Sequence, residues 1–431
     1  MLSNLTRRMF LAFSAMAALA LYFKRYPKDL FAAERVNTGV KAHNPGASHD
    51  GKSYVYLAKG ASSEDNMRKV VEMMGGINKF VGADDIVLLK PNAQWWNQGT
   101  TNTNAMKAFI EMVLASPNFK GEIIIAENHH FPEDNSRGWT TDKRNGDHNL
   151  NELVEHFQKS GRPNVTKYHW HDGGGSVPGM WGGAEKGGLV KGPGNGDGYV
   201  WRDDLVFTAP GGKKAMMSYP VFTSEYSGIT IDFCKGPWKN GMYLDRKLKF
   251  VNFAGLNHHS STGVTASIKN YLGICDMTCG HRGRQPEGFY NLHFIGESNL
   301  HWRIKEVLGK FGWKEYLTAI GGAVGYFMKN VRMADLNIIT AEWTGYGSRT
   351  DTNLREHTRA VLASADPVAL DYAAAKDILM PATVKNSKSS SLRLENDPEP
   401  DDSPFRKFLS GCHDMGIGNL REDRIVRVKD I

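Results

Sequence analysis

The chemistry-bearing residues of this chain gather where apolar, strand-like runs end. Lys90 and Asn92 follow Ile86-Val87-Leu88-Leu89, and Glu127 follows Ile123-Ile124-Ile125-Ala126. In open α/β sheets the carboxyl ends of the strands are where ligands bind. Lys90 precedes a proline, so it leaves its strand extended. It can hold an anionic ligand, or it can pair with Glu127 and tie two strand ends together. Further on, His258 and His259 precede Gly263, Thr265 and Lys269. Thr265 is placed to cap a helix carrying Lys269 one turn in, leaving N–H groups that favour an anion. On this reading Lys90, Asn92 and Lys269 bind the anion, and Glu127 and His259 act as general acid and base. The plainer reading is a capped helix beside a buried, hydrogen-bonded histidine. Asp371, inside a late helix, is either a site carboxylate or a packed, capping one.

Histidine is plentiful, at fifteen residues, and partly clustered: His129 and His130 beside Glu127, His169 and His171 beside Asp172, His281 near Cys279, and His357 in a loop. His-x-His on a strand puts both imidazoles on one face, a usable metal geometry. Solvated loops produce the same clusters. The four cysteines are too few for a disulfide scaffold in a chain of this length. Cys275 and Cys279, four apart, would be neighbours on a helix; no iron–sulfur cluster and no disulfide essential to folding is expected. HExxH, GxSxG and P-loop patterns are absent from the sequence.

The elements that would position these residues follow an α/β order. Tyr54–Leu57, Asp85–Leu89 and Glu122–Ala126 read as strands, separated by helices over Glu64–Phe80 and Asn104–Leu114. This β-α-β-α-β order implies a mostly parallel central sheet with helices on both faces. A glycine- and tryptophan-rich stretch, about residues 129–249, reads as an insertion with a small antiparallel sheet of its own, its arms near Val200–Phe207 and Met216–Phe222. Strands resume at Leu248–Ala254, Leu336–Thr340 and Ala360–Ser364. Helices are expected over Thr265–Leu272, Trp302–Phe311 and Val368–Leu379, the last opened by Asp366-Pro367. Lys385–Ser403 reads as a serine-rich loop.

Several of these segments together resemble the domain of unknown function 362 family (DUF362). They are Val87-Leu88-Leu89-Lys90-Pro91-Asn92, Thr100-Thr101-Asn102, Ile124-Ile125-Ala126-Glu127-Asn128, His259 to Thr265 with Lys269-Asn270-Tyr271-Leu272-Gly273, and Ala363 to Asp371. They span roughly residues 86–375 in the family's order. The family pattern has Lys-x-His where this chain has Asn257-His258-His259, and the ferredoxin-like cysteine clusters of many relatives are absent here. The resemblance implies a fold and a site, to which Asn270 and Asp371 are added as ligand-binding residues. It implies no reaction and no particular cofactor.

The first residues carry a different message. Thr6-Arg7-Arg8-Met9-Phe10-Leu11 resembles the twin-arginine export motif, and a charge-free run follows from Phe10 to Phe23. Its 14 residues suit a signal h-region better than a membrane span of about 20 residues. Residues 1–33 therefore read as a signal or anchor that engages the twin-arginine translocon, 34–52 as a linker, and 53–431 as the α/β domain. The formal charge is +7, but Arg7, Arg8, Lys24, Arg25 and Lys28 supply five of those charges, so no nucleic-acid surface is implied. Membrane contact is expected only through the N-terminal segment. The expected location is the periplasm or the outer face of the cytoplasmic membrane. Two function classes remain open: an envelope enzyme acting on a small anionic substrate, and a non-catalytic metal- or cofactor-binding protein serving an envelope partner.

Overall fold

Short runs of branched apolar residues set the centre of the molecule. The computed structural model describes residues 51–128, 143–170, 189–277, 288–296, 302–312 and 314–430. The twin-arginine-like segment, His129, His130, His171, Asp172, Cys279 and His281 lie outside the described residues. Strand β1 (Ser53–Lys59) leads through helix α1 (Ser63–Met73), β2 (Ile86–Lys90) and α2 (Thr103–Leu114) to β3 (Glu122–Asn128). Helix α3 (Leu150–Lys159) and β4 (Val165–Trp170) follow. Then come β5 (Gly198–Thr208), β6 (Lys214–Thr223), β7 (Thr230–Asp232), β8 (Gly236–Lys239) and β9 (Met242–Tyr243). The chain continues as β10 (Leu248–His259), β11 (Gly263–Thr265), α4 (Ser267–Asn270), α5 (Trp302–Lys310) and α6 (Ala319–Asn330). It ends with β12 (Leu336–Gly345), β13 (Glu356–Ser364), α7 (Pro367–Ala374), α8 (Met380–Asn386), α9 (Ser390–Asn396), α10 (Pro404–Asp414) and β14 (Ile425–Asp430).

The main sheet has the order β14-β1-β13-β12-β10-β2-β3-β4, with β11 folded back on β10. Along this path every pairing is parallel except the two made by β13. The α/β class expected from the sequence is the one observed. It follows that β2, β3, β10 and β12 all end at one edge, which is where the site forms.

Alternation assigns the two faces. Val87, Leu89, Ile123 and Ile125 pack under α1, α2 and α3 with Val70, Phe109 and Phe157. Ile86, Leu88 and Ile124 face the opposite way, toward Phe222, Ile231, Val324 and Phe408. Burial on both faces explains why these strands read as continuous apolar runs. Each such large side chain, fully buried, contributes roughly 1.5–3 kcal/mol of transfer free energy.

Several boundaries differ from those read in the sequence. Helix α1 stops at Met73 because Gly75 and Gly76 turn the chain at φ +94° and +89°. The region following Glu127 is not uniform: α3 and β4 add a parallel strand to the main sheet, and β5 to β9 form a separate antiparallel sheet. The serine-rich stretch is not a plain loop. Ser389 caps α9 by accepting from Leu392 N, and Ser403 caps α10 through Phe405 N and Arg406 N. Strand β10 runs on to His259 because its last residues pair with β11.

Candidate functional site

At the end of β2, Lys90 is 1 % exposed and uses all three ammonium donors inside the protein. Its Nζ donates to Glu127 Oε2 at 2.8 Å, Asn270 Oδ1 at 2.8 Å and Pro91 O at 2.9 Å. Glu127, at the end of β3, also accepts from Ala93 N and Asn128 N. Burial pushes the Glu127 carboxyl up to about 7 and the Lys90 ammonium down, while their contact pulls each back toward its charged form. With every donor and both carboxylate oxygens engaged, the hydrogen-bond pattern is that of an ion pair. The backbone closes over it: a Cβ on Gly273 would lie 1.9 Å from Glu127 Oε1 and 2.7 Å from Lys90 Nζ.

Three buried asparagines lock the next layer. Asn270 Nδ2 donates to Asn252 Oδ1 at 2.7 Å and Phe253 O at 3.1 Å. Asn252 Nδ2 donates to Asn337 Oδ1 at 3.0 Å and Ser267 O at 2.9 Å. The network fastens α4 to β10 and β12. Asn92 is also buried, at 7 % exposed. Its main chain is held by Thr100 and Thr101, and its side-chain amide takes no partner among the described residues.

Helix α4 is capped differently from the expectation. Thr265 does not cap it: the N-cap residue is Ala266, which offers no side-chain bond, and Thr265 sits at the end of β11. Asp371 reaches across from α7 instead. It accepts from Ser267 N at 2.8 Å, Ile268 N at 2.9 Å and the Ser267 hydroxyl. These N–H groups are therefore taken, and an anion site cannot rest on the start of this four-residue helix. Burial pushes the Asp371 carboxyl up to about 7 against the pull of those hydrogen bonds. Replacing Asp371 with Ala would strand two buried N–H donors. The expected loss is roughly 2–4 kcal/mol, read from urea unfolding, with Asp371→Asn losing less.

Lys90, Asn270 and Asp371, read from the sequence as ligand-binding, thus have their polar atoms spent within the protein. Lys269 and His259 do not. Both are half-buried. The Lys269 ammonium has no hydrogen-bond or ion-pair partner among the described residues. Burial, then the positive charges of Arg349 and Lys90, push it down to about 7. His259 Nδ1 accepts from Ser261 N at 3.1 Å and Thr262 N at 3.3 Å in the β10–β11 turn. A neutral ring must therefore carry its hydrogen on Nε2. Burial, then Lys269, Arg349, His293 and His258, hold this imidazole well below its usual range. Among the described residues, the side chains that act most on both groups are all basic.

Arg349 was not singled out in the sequence. It lies in the loop after β12, at the same sheet edge, with its guanidinium 4.2 Å from the ring centroid of Trp95. The two loops are laced together: Asn97 Nδ2 donates to Thr350 O, Gln98 Nε2 to Ser348 O and Asp351 O, and Asn257 bonds both Gln98 O and Gly345 N. The edge thus holds a closed set, Lys90, Glu127 and Asn270, and beside it Lys269 and His259, with Arg349 in the adjoining loop.

Residues 244–376 match the family model described as Domain of unknown function (DUF362). The match supports the resemblance seen in the sequence. The matched segment holds β10, α4, β12 and α7, and with them His259, Lys269, Asn270, Arg349 and Asp371. Lys90, Asn92 and Glu127 precede it. No curated protein and no solved structure matches the chain. Among the described residues no three His, Cys, Asp or Glu side chains are grouped to hold a metal, and no helix is long and apolar enough to cross a membrane. Cys234, Cys275 and Cys412 are free thiols. His357 sits on β13 rather than in a loop, with Nε2 2.6 Å from Glu342 Oε1.

Proposed function

We propose that this chain is an exported enzyme of the cell envelope that acts on a small anionic substrate at the carboxyl edge of its main sheet. The observation that carries this reading is the half-buried Lys269 ammonium, which has no hydrogen-bond or ion-pair partner among the described residues and is acted on by other basic side chains. Concentrated positive charge in a half-buried site calls for an anion to complete it. In this reading Lys269 holds the anion and His259 Nε2–H donates a hydrogen bond to the reacting group. Glu127 acts through Lys90 and Asn270, fixing α4 and with it Lys269. Calorimetric titration of the purified full-length chain with phosphate and with oxalate tests the reading. Lys269→Met is expected to weaken binding at least tenfold at neutral pH. Unchanged affinity in that variant would overturn it.

Export is supported by the paired arginines and the apolar run behind them. Replacing Arg7 and Arg8 together by Lys is expected to leave the protein in the cytoplasm on cell fractionation. Normal recovery of that variant from the envelope would refute the translocon as its route.

A further inference from the structure

We propose that α5 is a membrane-surface helix, which lays an apolar stripe on a bilayer containing anionic phospholipid. The proposal goes beyond the anion-binding reading and does not depend on it. The first observation is exposure. Ile304, Val307 and Phe311 are 48 %, 49 % and 84 % exposed. Their spacing of three and then four residues aligns them along one side of α5 and the turn that closes it. That turn is ordered by its backbone. Phe311 N donates to Leu308 O and Gly312 N to Gly309 O, each at 3.0 Å, and Gly312 ends the helix at φ +83°. Helices α2 and α10 bury the matching stripes, Met106 with Phe109 and Phe405 with Phe408, in the core. In α5 the same pattern of side chains faces outward.

Charge names the occupant. Residues 302–312 hold Arg303, Lys305 and Lys310 against Glu306, an excess of two positive charges. Past Lys28 the entire chain has an excess of only two, so the basic surplus of the domain is concentrated in this segment. A basic amphipathic helix with aliphatic and phenyl groups on one side lies in the headgroup region of anionic bilayers, its apolar face sunk by roughly 5–10 Å. A second copy of the chain fits less well, because each partner of a stable dimer buries roughly 800 Å², far more than three side chains offer. The helix also adjoins the candidate site. Leu317 N, shortly after it, donates to Ser261 O at 2.7 Å, in the turn whose N–H groups bind His259 Nδ1. Tyr316 Oη donates to Glu395 Oε1 at 3.3 Å, and Lys314 pairs with the same carboxylate. Docking through α5 would bring the β10–β11 turn, and His259 with it, close to the bilayer surface. It is a membrane contact beyond the N-terminal segment, which the sequence alone did not suggest.

The test is peptide-resolved hydrogen exchange of the full-length chain, free and with two kinds of vesicle. One kind is phosphatidylcholine alone, the other phosphatidylcholine mixed equally with phosphatidylglycerol. On the mixed vesicles the amides of residues 302–312 are expected to exchange roughly fivefold more slowly than in the free chain, with much less slowing on phosphatidylcholine alone. Because the slowing is read at 302–312, binding through residues 1–33 cannot mimic it. The combined variant Ile304→Ser, Val307→Ser and Phe311→Ser should lose it. Mixed vesicles that carry the chain but leave 302–312 unchanged would overturn the proposal. Failure of the chain to bind either vesicle does the same. Equal slowing on both vesicles removes the anionic occupant and also overturns it. Slowing that appears without vesicles as the chain is concentrated would make a second copy the occupant instead. Should the combined variant fail to fold, Phe311→Ser, at the most exposed of the three positions, takes its place. Loss of most of the slowing is expected there, and undiminished slowing counts against the stripe.

Discussion

Replacing Lys90 with Met is expected to cost about 3–5 kcal/mol of folding stability, the range for removing one member of a buried ion pair. The reason is the partner left behind. Glu127 is 1 % exposed and would keep only the Ala93 and Asn128 N–H groups. Asn270 Oδ1 and Pro91 O would lose a donor as well. The pH dependence has a definite sign. In the native protein burial already raises Glu127 to about 7, above its unfolded value, so the contribution of Glu127 to stability is fullest in acid and declines as pH rises toward 7. Lys90 is the main group restraining that rise. Without it the folded value climbs further, and the decline continues above neutrality. The gap between native and variant, read from urea unfolding, should therefore be smaller at pH 5 than at pH 8. Lys90→Met combined with Glu127→Gln should recover part of the loss, because the stranded charge is gone. A gap that does not change with pH would show that packing, not charge, dominates. Gly273→Ala should be comparably harmful, since its methyl group would land on the ion pair itself.

The parts of the fold that were legible in the sequence share one property: both faces of their strands are buried. Ile86-Val87-Leu88-Leu89 and Ile123-Ile124-Ile125 leave no polar alternation to misread, and the shared carboxyl edge follows from parallel pairing. The split of 129–249 was not legible in full. The polar residues of β4, such as Lys167 and His169, hide an edge strand in a glycine-rich context. Within the site, Lys90, Glu127 and His259 could be placed at one edge because each stands at the end of a strand, and Lys269 because a helix was expected to carry it back there. The membership of the closed set could not be read, because it depends on Asn270 and Asn252, whose bonds are tertiary. Thr265 carried the local signature of a cap, but Asp371, more than 100 positions away, supplies the acceptor. Local chemistry lost to a buried carboxylate with better reach. Arg349 escaped for a similar reason. Strand β12 extends five residues past Thr340 by pairing with β13, and that extension carries the following loop to the site. A search of the residues after each strand, with the strand end allowed to move, would have found it.

Binding of a small anion such as oxalate is expected to take up a proton near neutral pH and to weaken as pH rises. Free Lys269 is held at about 7 by burial and by Arg349 and Lys90. A bound anion reverses the local charge and raises that value. The affinity is then full below the free value and falls about tenfold per pH unit until the raised value is passed. His259 adds no proton of its own in this window, because burial and the surrounding cations hold it well below its usual range. His293 and His258 are the other titratable groups that bear on His259, and His258 also faces Glu395, so the proton count must be assigned by variant rather than by pH alone. Calorimetry in buffers of differing ionisation enthalpy gives that count. Close to one proton taken up at pH 8 by the native chain, and close to none by Lys269→Met, is the expected result. The folding side carries the opposite sign from Glu127. A lysine whose folded value lies below its unfolded one costs stability as pH falls from about 10 toward 7. Lys269→Met should therefore be more stable than the native chain at pH 7, and the advantage should shrink toward pH 10 while anion binding stays lost. A variant that loses stability and binding together would mean that Lys269 serves the fold. Gain of one with loss of the other is the signature of a cation held in place for a ligand.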